Sequence, residues 1–157
     1  MPVTQPTPGL HCRVSEILER KGGEVIVVDA DATVRQALTE MMTHDVGAVV
    51  VVRGGDIEGI FTERDYSRRV ALDELDPYTT LVSEVMSGDV CCVGPGASVA
   101  YALDLMARYR CRHLPVVNVD GRLIGIVSIG DCVALLSDSA ARENGQLREY
   151  IGGPYCG

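Results

Sequence analysis

Two short phrases carry most of the chemistry open to this chain. Thr62-Glu63-Arg64-Asp65 and Ser128-Ile129-Gly130-Asp131 both read hydroxyl-x-x-Asp, each directly after an apolar run broken by one glycine, Ile57–Phe61 and Leu123–Val127. A strand that ends where a helix begins leaves the free N–H groups of the first helical turn pointing out of the sheet edge. That end carries a partial positive charge and suits a phosphate. A carboxylate one turn into the helix accepts hydrogen bonds from two vicinal hydroxyls, the pattern a ribose presents. Hydroxyl, helix N-terminus and Asp therefore describe the sugar-phosphate end of a nucleotide. The same spacing is that of a helix-capping box, with Asp in place of the usual Glu or Gln, so a purely local role stands beside the binding one.

A basic cluster, Arg108-Tyr109-Arg110-Cys111-Arg112-His113, stands out in a chain with 14 Lys and Arg against 22 Asp and Glu. Arg108 and Arg110 read as a solvated helix end, which cations favour. Arg112 and His113 lie immediately before the apolar run Leu114–Val117 and are the better candidates for an anion. The matching positions in the first phrase's surroundings are Val46 and Gly47, which admit a flat ring but hold no phosphate, and Arg64 is matched by Gly130. Two chemically unequal clefts follow.

Catalytic constellations are missing: the chain has no G-x-S-x-G, no Walker loop and no H-E-x-x-H. Asp65 and Asp131 are better explained as a duplicated ligand contact than as an acid/base pair. The six cysteines, Cys12, Cys91, Cys92, Cys111, Cys132 and Cys156, form no C-x-x-C pair, and the three histidines have no ligand spacing, so no metal is expected. His11 and His44 read as surface residues, and Cys156 as the most exposed thiol. A net charge of −8 argues against nucleic acid as a partner. No apolar run reaches the ~18 residues of a membrane span, and Met1–Gly9 lacks the features of a signal peptide. Cytoplasmic placement with reduced, buried cysteines is the expectation.

The elements that must position these residues come in two copies, 66 residues apart (Ile57 against Leu123). Val14–Leu18 matches Val82–Met86, and the β-prone run Val25–Val28 matches Val90–Val93. Val34, Ala37, Leu38, Met41 and Met42 form one apolar helical stripe, and Val99, Ala102, Leu103, Met106 and Ala107 another. Asp31 or Thr33 caps the first of these helices, and Ser98 sits where Thr33 does. Ala48–Val52 turns through Gly54-Gly55 into Ile57–Phe61, and Leu114–Val117 turns through Asp120-Gly121 into Leu123–Val127, both as hairpins. A last helix runs from Thr62 to about Leu72 and from Ser128 to about Ser137. The expected divisions are a flexible tail (1–11), repeat one (12–72), a linker (73–81), repeat two (82–137) and a polar segment with a short C-terminal helix (138–157).

Gly59-Ile60-Phe61-Thr62-Glu63-Arg64-Asp65, Arg112-His113-Leu114-Pro115-Val116 and Gly125-Ile126-Val127-Ser128-Ile129-Gly130-Asp131, in register through both copies, resemble the cystathionine β-synthase (CBS) domain in tandem, the Bateman module. The tail Gln146–Gly153 also resembles that of small stand-alone bacterial CBS-pair proteins. The resemblance implies an α/β (α+β) fold of two β-α-β-β-α repeats with pseudo-twofold symmetry, a disk-like homodimer, and two clefts for adenosyl ligands such as AMP, ADP, ATP, NAD(H) or S-adenosylmethionine. On that resemblance Asp65 and Asp131 hold ribose hydroxyls, Thr62 and Ser128 contact phosphate or ribose, and Arg64, Arg112 and His113 face the phosphate. Adenine lies against Ile26-Val27 and Val46-Gly47-Ala48, with a second wall near Cys91-Cys92. Gly130, Cys91 and Cys92 depart from that pattern and weaken the second cleft. The implied function is a non-catalytic regulator that senses an adenine nucleotide and acts on an effector protein, without nucleic acid or membrane. A purely structural dimerisation module, a redox-responsive regulator using Cys156 or Cys91-Cys92, and a nucleotide-acting enzyme are the competing readings.

Overall fold

Helix α1 (Val14–Lys21) leads the first copy, followed by β1 (Val27–Asp29), α2 (Val34–Thr43), β2 (Ala48–Arg53), β3 (Asp56–Thr62) and α3 (Glu63–Asp65), which continues as a π-helical turn over Tyr66–Ala71. The second copy consists of α4 (Val82–Val85), α5 (Val99–Tyr109), β4 (His113–Val117), β5 (Leu123–Ser128) and α6 (Ile129–Ile151). The computed structural model describes residues 11–151; most of the expected tail and the Cys156 thiol lie outside them. β1 pairs parallel to β2 and β2 antiparallel to β3, while β4 and β5 form an antiparallel hairpin. The mixed α+β architecture of two repeated units is as the sequence implies.

Each apolar stripe turns one helix face inward. Val34, Ala37 and Met41 on α2, and Val99, Ala102, Leu105 and Met106 on α5, are buried, whereas Met42 is 83% exposed. Thr33 caps α2, its Oγ accepting from the Gln36 N–H at 3.2 Å while Gln36 Oε1 accepts from the Thr33 N–H at 2.9 Å. Ser98 caps α5 through the Tyr101 N–H at 3.0 Å. Asp31 instead lies against Arg53.

The leading helices are exchanged between the copies. Val14 and Ile17 of α1 are buried in one core with Val99, Leu114, Val116, Val127 and Leu135 of copy two. Val82 and Val85 of α4 are buried in the other, with Val34, Val49, Val51, Phe61 and Val70 of copy one. Backbone bonds seal both exchanges in the same way. The Val14 N–H donates to Ala97 O and the Val99 N–H to Cys12 O, both at 2.9 Å; the Val82 N–H donates to Ala32 O at 2.8 Å and the Val34 N–H to Thr80 O at 2.9 Å. Cutting the chain between the repeats would therefore leave each half without one wall of its core.

Gly59 and Gly125, 66 positions apart, make the exchange possible. A Cβ on Gly59 would collide with Met86 Sδ and lie 2.8 Å from the Ser87 carbonyl oxygen, and one on Gly125 would run into the Leu18 side chain. Leu18 and Met86 are matching residues of the two leading segments, so both glycines are needed for the same close approach.

Three expectations differ from the structure. Val90–Val93 is not a strand: only Val93 bridges β4, at Val116, through the Val93 N–H to Pro115 O (3.0 Å) and the Val117 N–H to Val93 O (2.9 Å). The next bond of a parallel ladder would need a donor at position 115, and proline has none. Repeat two therefore lacks the first strand of the β-α-β-β-α unit, and in repeat one that strand is the shorter Val27–Asp29. Polar residues from 138 onward do not break the last helix, because α6 runs unbroken to Ile151. That stretch holds no proline, and its single Gly145 costs only about 1 kcal/mol relative to alanine. Finally, the helix opened by Thr62 loosens into the π-helical turn after Asp65.

Candidate functional site

Both hydroxyl-x-x-Asp phrases sit at the junction of a strand and a helix, but they are closed to different degrees. In copy one, Asp65 is only 8% exposed. Its Oδ2 accepts from the Thr62 N–H at 3.0 Å and the Thr62 hydroxyl at 3.1 Å, and its Oδ1 accepts from the Ser87 hydroxyl at 3.1 Å. Thr62 Oγ accepts in turn from the Asp65 N–H at 3.2 Å. Ser87 reaches this position because α4 stops at Val85; Arg69 then donates to the Met86 carbonyl at 2.6 Å, and Ser87 pairs in both directions with the backbone of Ile60. Copy one thus folds the phrase into a filled capping box.

In copy two the box is less complete. Asp131 Oδ2 accepts from the Ser128 N–H at 2.9 Å, and Ser128 Oγ accepts from the Asp131 N–H at 3.1 Å. Among the described residues, Asp131 Oδ1 accepts no bond, and no neighbouring hydroxyl reaches Asp131 as Ser87 reaches Asp65. The group placed where Ser87 lies in copy one is a cation, Lys21, whose Nζ donates to Asp131 Oδ2 at 2.9 Å and to the Ile126 carbonyl at 3.0 Å. The two side chains are 34% and 27% exposed. Burial by itself pushes the Asp131 carboxyl up, but the Lys21 ammonium and the N–H and hydroxyl of Ser128 outweigh it and hold the group below its ordinary value. Asp131 is therefore an ionised, oriented acceptor with one oxygen uncommitted.

Lys21 stands in the last turn of α1, the longer leading helix, next to Arg20, which donates to Asp138 on α6 at 2.6 Å. A cavity of about 160 Å³ opens between α1 and α6, lined by Ile17, Ala134 and Leu135 and by Arg20, Lys21 and Asp131.

The remaining expected residues fall into two groups. Gly47 and His113, equivalent by the 66-residue offset, meet each other: His113 Nε2 lies 3.7 Å from where a Gly47 Cβ would be, and Glu63 Oε2 lies 3.9 Å from it. Burial, reinforced by the positive charges of Lys21 and Arg112, holds His113 below its ordinary pKa of 6.5 despite the opposing pull of Asp131. At neutral pH His113 is therefore an uncharged imidazole, which offers an anion one ring N–H rather than a charge. Arg64 and Arg112 are exposed, with no ion pair among the described residues. Ala48 is buried at 4%, Val46 and Ile26 are half-buried, and Val27 is 46% exposed. Arg108 pairs with Asp104 at 2.8 Å, and Arg110 ends α5 in the left-handed region at φ 51°.

Lys21 and Ser87 went unread in the sequence. The only signal was the Arg20-Lys21 pair closing a helix in an acidic chain; its partner lies 110 residues further on. Cys91, Cys92 and Cys111 are half-buried, and burial raises the thiols of Cys92 and Cys111, which keeps them protonated. Among the described residues, no cluster of His, Cys, Asp and Glu could hold a metal ion, and no helix is long and apolar enough to cross a membrane.

The chain is similar to known proteins throughout this region. The mitochondrial CBS domain-containing protein CBSX3 of Arabidopsis thaliana is 36% identical over 151 residues, spanning 90% of this chain and 73% of that protein. A protein with CBS domains from Burkholderia ambifaria superimposes with a TM-score of 0.75 at 40% identity, covering 80% of this chain and 95% of that one. The CBS domain pair of protein MJ0100, solved in complex with 5′-methylthioadenosine and S-adenosyl-L-methionine, shares the fold at a TM-score of 0.70 and 22% identity, over 80% and 96% of the two chains. With residues 14–72 and 82–138 each matched by the CBS domain family, the chain belongs to that family as a tandem CBS pair.

Proposed function

We propose that this CBS pair is a non-catalytic regulatory module that binds an adenosyl ligand of the AMP, ADP, ATP or NAD(H) type and signals occupancy to an effector protein. One observation carries the reading. Asp131 begins a helix at a strand end as an ionised carboxylate with Oδ1 uncommitted, beside the Ser128 hydroxyl and the exposed Arg112. Acceptor, donor and cation in that order complement ribose hydroxyls and a phosphate. The filled box at Asp65 supports a copy-one cleft that is the weak or structural one, the reverse of the order that Gly130, Cys91 and Cys92 suggest. The apolar and aromatic surface left on equivalent helices, Met42 on α2 and Tyr101 and Tyr109 on α5, supports a homodimer. The raised thiols of Cys92 and Cys111 count against a redox-responsive role for them, in keeping with the reduced, cytoplasmic protein we propose.

A ligand regulates only by binding two conformers unequally. Exchange of the leading helices offers the route, since α1 is held both by the copy-two core and by the carboxylate at the site. Thermal melts against AMP, ATP, NAD, NADH and S-adenosylmethionine test the proposal. A bound ligand at 100 times its Kd adds about 2.7 kcal/mol of stability. No shift with any of the five overturns the sensing function in favour of a structural dimerisation module, and turnover of a bound nucleotide overturns the non-catalytic reading.

A further inference from the structure

The geometry points to Lys21 as the residue that makes the copy-two cleft select phosphorylated adenosyl ligands over uncharged ones. This inference rests on the nucleotide-binding reading of that cleft and goes beyond it by assigning the residue that recognises the anion, one supplied by the opposite repeat.

Lys21 is positioned as a recognition group rather than as a loose surface cation. Two of its three ammonium N–H bonds are directed, one to Ile126 O at 3.0 Å and one to Asp131 Oδ2 at 2.9 Å. An ammonium carries three donors, so one remains for a third partner. Because α1 is anchored through the buried Val14 and Ile17, the stem of Lys21 starts from a fixed helix. Less rotamer freedom is then lost when a ligand arrives. The cavity on whose wall Lys21 and Asp131 sit, about 160 Å³, is smaller than the roughly 300 Å³ at which pockets for whole small molecules begin. It has room for a fragment only, and a charged one would sit at its Arg20, Lys21 and Asp131 edge, away from Ile17, Ala134 and Leu135.

Charge distribution points the same way. In copy two, Lys21 offsets Asp131, Arg112 adds a positive charge and His113 is uncharged, leaving these groups net positive. In copy one, Asp65 and Glu63 balance Arg64 and Arg69, and the group on the carboxylate is the neutral Ser87 hydroxyl instead of a lysine. An anion thus gains more at the copy-two site than at the copy-one site. The difference comes from one helix end: α1 continues to Lys21, whereas α4 is only four residues long.

The test compares AMP with adenosine on the full chain, by calorimetric titration of wild type, Lys21→Gln and Lys21→Arg. Adenosine serves as an internal control for folding of each variant. We expect wild type to prefer AMP, Lys21→Gln to lose about tenfold in AMP affinity with adenosine affinity changed less than about twofold, and Lys21→Arg to keep most of the preference. Lys21→Gln keeping the wild-type ratio of AMP to adenosine affinity, or losing both ligands equally, would overturn the assignment, the latter reducing Lys21 to a residue that only orients Asp131. Wild type binding adenosine as well as AMP would also overturn it while leaving the sensing function intact. Binding of neither ligand would overturn the nucleotide reading itself and this inference with it.

Discussion

Asp65 and Asp131 begin equivalent helices after equivalent strands, and the segment that covers each one comes from the other repeat. What differs is the length of that segment's helix. α4 ends after Val85, so the chain extends, pairs with Ile60 and places the neutral Ser87 hydroxyl on Asp65. α1 runs on for one more turn, so Lys21 meets Asp131 and the backbone of Ile126. One carboxylate becomes a buried, fully engaged cap, and the other a half-exposed ion-paired acceptor with spare capacity. Duplication supplied the same motif twice, and a single helical turn separated structure from site.

The sharpest way to break this comparison is at the glycines. Gly59→Ala should destabilise the fold by about 2–3 kcal/mol, because the new methyl meets the Ser87 backbone carbonyl, which cannot move alone. Gly125→Ala meets only the end of the Leu18 side chain and should cost about 1 kcal/mol. Urea unfolding of the two variants measures the difference, and equal costs would mean that the exchanged segments are equally loose.

The carboxylates come next. Asp65→Ala strips partners from the Thr62 N–H and the Ser87 hydroxyl in a buried setting and should cost about 2 kcal/mol, while leaving any AMP-induced melting shift in place. Asp131→Ala should cost under about 1 kcal/mol, since the pair it breaks is partly exposed, yet abolish the shift. The reverse pattern would move the ligand to copy one.

Protonation offers a smaller effect confined to copy two. The folded chain resists protonating His113, whereas the unfolded chain takes up that proton at an ordinary pKa of 6.5. Stability from this residue is full above that pH and declines as pH falls below it. The depressed Asp131 adds a second loss on acidification, below its ordinary 3.8. Urea midpoints measured between about pH 7.5 and pH 5.5 should drop in wild type and flatten in His113→Gln; an unchanged slope would mean that His113 is as accessible folded as unfolded. Smallest of all, Arg20→Ala should change stability by under about 0.5 kcal/mol in the same unfolding assay, since its pair with Asp138 is exposed.

Much of the fold was legible because its signals are local. The stripes of α2 and α5, the Thr33 and Ser98 caps and both hairpins follow from periodicity and turn chemistry over a few residues. The missing strand at Val90–Val93 was legible too, since Pro115 stands in the partner strand, but only once the direction of pairing is known. The unbroken α6 was hidden because polar composition resembles a loop when the partner of Asp138, Arg20, lies 118 residues away. At the site, Thr62, Asp65, Ser128 and Asp131 declared themselves by spacing. Lys21 and Ser87 did not, because nothing within several residues of either one refers to the carboxylate it covers.

By itself, then, the sequence determined that two copies of one unit exist, that each puts a hydroxyl and a carboxylate at a strand-to-helix junction, and that Arg64, Gly130, Gly47 and His113 make the copies unequal. Those are properties of local pattern, readable wherever the chain happens to fold. Only the tertiary structure decided which carboxylate stays open. That depends on the exchange of α1 and α4 between cores, and on where each helix stops relative to a strand in the opposite repeat. A contact spanning 110 residues carries no periodic signature, so Lys21 became part of the site only when packing brought α1 onto β5 and α6.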